Sequence, residues 1–268
     1  MLDALNTGTP MVVTSANYDA RKISENKTDL AELVRPVTKW SVELDLPDQI
    51  PSVMRRAFNE ANSHPKGPVY VGFTANALEG IAEMNIIPSA PVHDAVRPDP
   101  EGIHAAADML QNARSPLLIV GDRVSDDDGI GHAVELAEIV GMPVYQSRGA
   151  EVSFPTNHPQ YLGVHSLRVA SDRESLKGYD VILTVGMDTF DELFYWGDII
   201  LGENTRLIHI DPIPGRVGKT EPTDLGIISN CKAALEMLND VLRETIDKEI
   251  ANKLRKESIQ LATEERQA

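Results

Sequence analysis

Short apolar runs recur along this chain, bounded by Pro, Gly or small polar residues, and between them the apolar residues return every three to four positions. That alternation limits the possible folds more than any other feature. A run that is apolar at successive positions is buried on both faces, as strands of a parallel sheet are. Successive parallel strands need a crossover, which a helix supplies. The first run is "PMVVTSA" (10–16). The stretch "SENKTDLAELV" (24–34) follows as a helix with Asp29, Leu30, Leu33 and Val34 on one face, ended by Pro36. In "VTKWSV" (37–42), Val37, Lys39 and Ser41 alternate with Thr38, Trp40 and Val42, which is the strand period. "LPDQIPSVMRRAFNEANSHPKG" (46–67) carries Asp48 as a cap and Ile50, Val53, Met54, Ala57, Phe58 and Ala61 at helical spacing. "GPVYVGF" (67–73) closes this series as a strand.

Residues 75–98 lose periodicity and collect prolines, the pattern of a linker draped over a surface. Beyond it the alternation resumes. "PEGIHAAADMLQNA" reads as a helix, "SPLLIVGD" as a strand, "GIGHAVELAEIVG" as a helix stopped by Gly141, and "MPVYQSR" as a strand. "GYDVILTVG", "TRLIHIDP" and "LGIIS" are further strands, and "NCKAALEMLNDVLRETI" is a helix capped by Asn230. The tail mixes charge signs at helical spacing with few apolar residues, so it reads as a solvated helix or a connector. The expected fold class is α/β, with parallel sheets and flanking helices. A smaller α/β domain over 1–80 and a linker over 81–98 precede a Rossmann-like doubly wound domain over 99–243, and a charged helical tail or connector covers 244–268.

A formal charge of −16 and a pI near 4.8 argue against nucleic acid, since phosphate binding needs Lys and Arg to neutralise the backbone. Cys231 is the single cysteine, which leaves no disulfide framework and makes a reducing cytoplasm the default setting. The opening "MLDALNTGTPMVV" lacks a basic segment followed by an apolar one, and no run approaches the length of a membrane helix. A chain that is neither exported nor embedded is expected.

In a doubly wound sheet, ligands bind outside the carboxyl ends of the strands. Those ends fall in "IVGDRVSDDDGIG", "YQSRGAEVSF", "TVGMDTFDE" and "IDPIPGRVGK". Gly121, Gly129, Gly131, Gly186 and Gly215 there permit tight turns and close approach of backbone amides to a phosphate. Their spacing matches neither the dinucleotide fingerprint nor the P-loop, and Gly129 to Gly131 read more simply as a helix cap. Asp211, before Pro212, is placed either to accept bonds from a ribose or to cap the next turn. The acidic run at 126–128 lacks spaced calcium ligands and reads as a solvated loop. The seven histidines, His93 among them, form no recognised zinc spacing. Two stand in "FPTNHPQYLGVHSLR", read as a loop rich in Pro and Gly, where His158 fits a turn and His165 is the better ligand candidate, near Gly163.

Two blocks resemble a known family. "RPVTKWSVEL" with "IPSVMRRAFNEANSHPKGPVYVGF" is similar to the close of the pyrimidine-binding domain of thiamine-diphosphate enzymes of the acetolactate synthase, pyruvate oxidase and benzoylformate decarboxylase class. From about Pro98 to Leu242, "SPLLIVGD", "AEIVGMPV", "FPTNHPQYLGVHS", "GYDVILTVGMDTFDE" and "RLIHIDPIPGRVGK" resemble their central domain, in the same order. The resemblance implies a lyase or transferase acting on 2-oxo acids with thiamine diphosphate and magnesium. It also implies that residues 1–80 are only part of a pyrimidine-type domain.

Such enzymes carry an early glutamate that activates the cofactor, and a Gly-Asp-Gly motif with a downstream asparagine that holds magnesium and the diphosphate. The nearest strings here are "GDR" (121–123) and "GDI" (197–199), without the third glycine. The resemblance therefore implies the middle of such an enzyme without its catalytic ends, and no catalytic residue is assigned. Relatives that bind FAD or ADP place a glycine where Ser166 stands. For an FAD, ADP or coenzyme A module the contacts would be Gly121, Gly163, His165, Gly186 and Asp211. A partial pyrimidine-type sheet leaves an edge uncovered, which implies a homo-oligomer or a complementary subunit. An assembly scaffold without its own ligand is the remaining reading. Trp40 is expected to pack in the core of the first domain, with its indole N–H toward a carbonyl.

Overall fold

The computed structural model describes residues 1–25, 27–88, 95–149, 151–188, 190 and 200–266. His93 and the "GDI" string at 197–199 lie outside the described residues. The chain divides into two compact units, Met1–Asp94 and Ala95–Ala268.

The first unit runs α1 (Leu2–Thr7), β1 (Met11–Asn17), α2 (Leu30–Val34), β2 (Trp40–Leu44), α3 (Ile50–Asn62), β3 (Pro68–Thr74) and α4 (Ala75–Glu79). Its sheet has three parallel strands in the order β1-β3-β2, with Met11 opposite Pro68 and Trp40 opposite Val69. The apolar stripe read from the sequence is the face α3 buries: Ala57 and Ala61 join Leu44, Val69, Val71 and Ala77, flanked by Ile50, Val53 and Met54. Phe58, expected on that stripe, lies at its border and is 54% exposed. Trp40 is half-buried against the same core, and the Arg56 guanidinium stands over its ring at 4.8 Å.

Local chemistry shifts several boundaries. Asp29 caps α2 by accepting the Glu32 N–H at 2.9 Å. Residues Arg35–Val37 form a 3-10 turn rather than the start of a strand, because Pro36 fixes its φ and lacks an N–H for a ladder. Asp48 sits inside a second such turn, Pro47–Gln49, and α3 starts at Ile50. The presumed linker opens with a helix, α4.

The second unit runs α5 (Pro100–Gln111), β4 (Pro116–Val120), α6 (Asp122–Asp126), α7 (Ile130–Val140), β5 (Val144–Ser147), β6 (Tyr161–His165), α8 (Ala170–Ser175), β7 (Val181–Val185), β8 (Arg206–Asp211), β9 (Leu225–Ile228), α9 (Cys231–Thr245) and α10 (Lys248–Glu265). Six parallel strands lie in the order β6-β5-β4-β7-β8-β9. The unbroken apolar runs have a direct cause in this layering. Leu118 and Val120 of β4 enter one core with Leu183 of β7, while Leu117 and Ile119 enter the opposite core with Ile182.

Two elements depart from expectation. The end of the segment read as a Pro- and Gly-rich loop is strand β6, whose apolar pattern Gly163 interrupts. The tail helix α10 is not wholly solvated. Ala251, Ser258 and Ala262 are buried, Arg255 pairs with Glu138 of α7 at 2.6 Å, and Arg266 donates to the His158 carbonyl. Gly141 makes this docking possible. Its φ is +80°, and a Cβ there would stand 2.2 Å from the Ala251 carbonyl oxygen.

Candidate functional site

From β4 the chain winds outward through β5 to β6, then returns to β7 and proceeds through β8 to β9, so its direction reverses between β4 and β7. The carboxyl ends flanking that point form the crevice where open α/β sheets place ligands. Gly121 follows β4 and Gly186, with φ +66°, follows β7. These glycines let the two strand-end loops touch each other. A Cβ on Gly121 would lie 2.5 Å from Met187 Cβ and 2.6 Å from the Gly186 carbonyl oxygen, and one on Gly186 would lie 2.7 Å from the Val124 nitrogen. The amides there are engaged within the chain: Gly121 donates to Val185 O, Arg123 to Gly186 O, Val124 to Gly121 O and Gly186 to Ile210 O, at 2.9 to 3.1 Å.

Across this floor runs a belt of charge. Arg123 Nε donates to Asp211 Oδ2 at 2.8 Å and its Nη2 to Asp188 Oδ1 at 2.9 Å. Arg216 Nη1 donates to Asp188 Oδ2 at 2.6 Å. Asp211 is fully buried, and its other oxygen accepts the Ile213 N–H at 2.9 Å. Burial pushes its carboxyl up to about 6, against the pull of Arg123. Desolvation draws the Arg123 guanidinium down, but the Asp211 and Asp188 carboxylates outweigh it and hold it above the ordinary Arg value. His209 is buried beside them, with Nε2 3.1 Å from Met187 O, and desolvation lowers its imidazole to about 4. The belt extends sideways as Asp122 Oδ1 accepts the Glu151 N–H at 3.0 Å, and Asp127 Oδ2 accepts the Cys231 N–H at 2.7 Å at the start of α9. Asp127 is therefore buried and structural, which corrects the reading of 126–128 as a solvated loop; Asp126 and Asp128 remain exposed.

Of the residues singled out in the sequence, Gly121, Gly186 and Asp211 come together here. Gly163 and His165 stand on β6, separated from β4 by β5. Gly163 has φ +124° with open space where a Cβ would be. His165 is buried, edge-on to Tyr145 at a centroid distance of 5.2 Å, with Nε2 3.1 Å from Asp172 O. The Ser166 N–H donates to Asp172 Oδ2 at 3.0 Å. Gly129 is the N-cap of α7. Sequence reasoning passed over Arg123, Asp188, Arg216 and His209. Each lies in or beside a strand-end string, yet Arg123 is 88 residues from Asp211 and 65 from Asp188, so no short motif joins them.

In the first unit the strand ends gather a second polar cluster. Lys27 Nζ lies 2.6 Å from Glu43 Oε1, and Asn17 Nδ2 donates to Glu43 Oε2 at 2.5 Å. Among the described residues, no three His, Cys, Asp or Glu side chains converge to hold a metal ion. Asp122 of "GDR" is engaged by the Glu151 amide and packs against Gly149, so that string does not fit a magnesium ligand.

This architecture, a parallel doubly wound unit after a smaller parallel α/β unit, coincides with what comparison finds. Residues 103–238 match the family model described as thiamine pyrophosphate enzyme, central domain, and the chain belongs to that family of thiamine-diphosphate-dependent enzymes. It is 26% identical over 250 residues to acetolactate synthase of Mycobacterium leprae, covering 91% of this chain and 40% of that protein. It is 27% identical over 251 residues to benzoylformate decarboxylase of Pseudomonas aeruginosa, covering 91% of this chain and 47% of that protein. Among solved structures, the thiamine diphosphate-dependent 4-hydroxybenzoylformate decarboxylase of Rhodococcus jostii RHA1 superposes with a TM-score of 0.78 at 28% identity, over 90% of this chain and 47% of that one. The chain thus spans less than half the length of these relatives.

Proposed function

We propose that this chain serves as part of a thiamine-diphosphate-dependent 2-oxo acid decarboxylase or carboligase of the acetolactate synthase type, and does not turn over substrate by itself. The observation that carries this reading is the match of the central-domain model to residues 103–238, in a chain aligned along 91% of its own length to 40% of a relative. On this reading residues 1–80 are part of a pyrimidine-type domain, 81–98 link it to a central domain at 99–243, and 244–268 lead onward. Thiamine diphosphate and magnesium would be held chiefly by groups this chain does not bring together, since "GDR" is committed to the loop after β5. The missing groups come from a complementary polypeptide or a second copy. The free side of β1 and the exposed Met11, Leu33 and Phe58 support such a partner. A cytoplasmic setting accords with the single, buried, unpaired cysteine, and no described helix is long and apolar enough to cross a membrane.

Calorimetric titration of the purified chain with thiamine diphosphate and magnesium tests this. No binding heat is expected, and no consumption of pyruvate or benzoylformate. Tight binding, or unaided turnover of either acid, overturns the claim.

A further inference from the structure

We infer that the crevice between β4 and β7 is an internal latch, closed by the chain's own ion pairs, and not a receptor for the diphosphate shared by FAD, ADP and coenzyme A. A diphosphate at a strand-to-helix turn needs unspent N–H groups and room for the anion against the backbone. Here Gly121, Arg123, Val124 and Gly186 all donate to carbonyls of the chain itself. The glycines that would open space for a phosphate are filled by each other's loops, to within 2.6 Å of an added Cβ. The cations are likewise taken. Arg123 and Arg216 face Asp188 and Asp211, two positive groups against two carboxylates, with side-chain exposures of 15% and 27% for the arginines and 21% and 0% for the acids. A buried guanidinium with two carboxylate partners is stable only while both hold it.

The same groups span the sheet. Arg123 ties the end of β4 to those of β7 and β8, Asp122 ties it to the segment after β5, and Asp127 ties it to α9. The carboxyl edge is thereby fixed without a ligand. This inference is independent of the thiamine-diphosphate reading, because no group in the latch requires that cofactor.

Thermal unfolding of the full chain with excess ADP, FAD or coenzyme A, in wild type and variants, provides the test. No ligand is expected to move the wild-type midpoint. Arg123→Met should lower it by several degrees, and adding Asp211→Asn should recover part of that loss by removing the stranded carboxylate. Should Arg123→Met not fold, Asp188→Asn, which alters a partly solvated carboxylate, should lower the midpoint while leaving the ligand response unchanged. A ligand-induced rise of several degrees that disappears in Arg123→Met or Asp188→Asn would overturn the latch, as would strictly additive losses for Arg123→Met and Asp211→Asn. A rise that persists in both variants places the nucleotide elsewhere and leaves the latch standing.

Discussion

Arg123 reaches Asp211 across the end of the sheet with Nη2 2.7 Å from Oδ2, and Asp211 exposes none of its side chain. Removing the cation strands an ionised carboxylate away from water, so Arg123→Met is expected to cost about 3–5 kcal/mol. Asp211→Asn should cost less, because Asp188 still holds the guanidinium. Urea unfolding of both variants checks the order; a larger loss for Asp211→Asn would contradict it.

The same pair sets a pH dependence. The Asp211 carboxyl rises from its ordinary 3.8 to about 6, so its contribution is largest below pH 4 and is lost as pH climbs to 6. His209 falls from 6.5 to about 4, so its contribution is present above pH 6.5 and is lost on acidification toward 4. Each is worth about 3 kcal/mol, with opposite slopes in one window. They largely cancel in the wild type. In Asp211→Asn only the His209 slope remains, so the cost of that substitution should be greater at pH 4.5 than at pH 6.5. Urea midpoints at the two pH values decide it, and a greater cost at pH 6.5 would show that the pull of Arg123 outweighs burial.

Gly141→Ala places a methyl group 2.2 Å from the Ala251 carbonyl oxygen at a residue whose φ is +80°. At least about 1 kcal/mol should be lost. The loss should fall on α10, which limited proteolysis would then cut before any other helix of the second unit.

In the first unit, the cation over Trp40 should contribute about 0.5–1 kcal/mol. Arg56→Ala is expected to speed hydrogen exchange of the β2 amides from Trp40 to Leu44, and unchanged exchange would refute the contact.

Features set by neighbouring residues were legible in the sequence. Leu117 and Leu118 point into opposite cores, and such a strand must be apolar at every position, so the parallel sheet announced itself. Asn230 accepts the Ala233 N–H and Gly141 turns left-handed, as their positions at helix ends foretold. What depends on distant partners was not legible. Strand β6 is short, contains a glycine, and gains its ladder from β5 rather than from its own pattern. Asp211 was noticed at a strand end, but its cation lies 88 residues earlier, beyond the reach of any spacing rule. The buried stripe of α10 consists of Ala251, Ser258 and Ala262, side chains too small to mark an apolar face in a charged helix.

Strand β1 carries no charged side chain from Met11 to Asn17, and among the described residues only β3 pairs with it. Seven such residues on an open border template the growth of sheet from one molecule to the next. Concentrated solutions should therefore turn cloudy with time, and a lysine introduced at Thr14 should keep them clear. How long this polypeptide survives in solution is governed by whatever occupies that border.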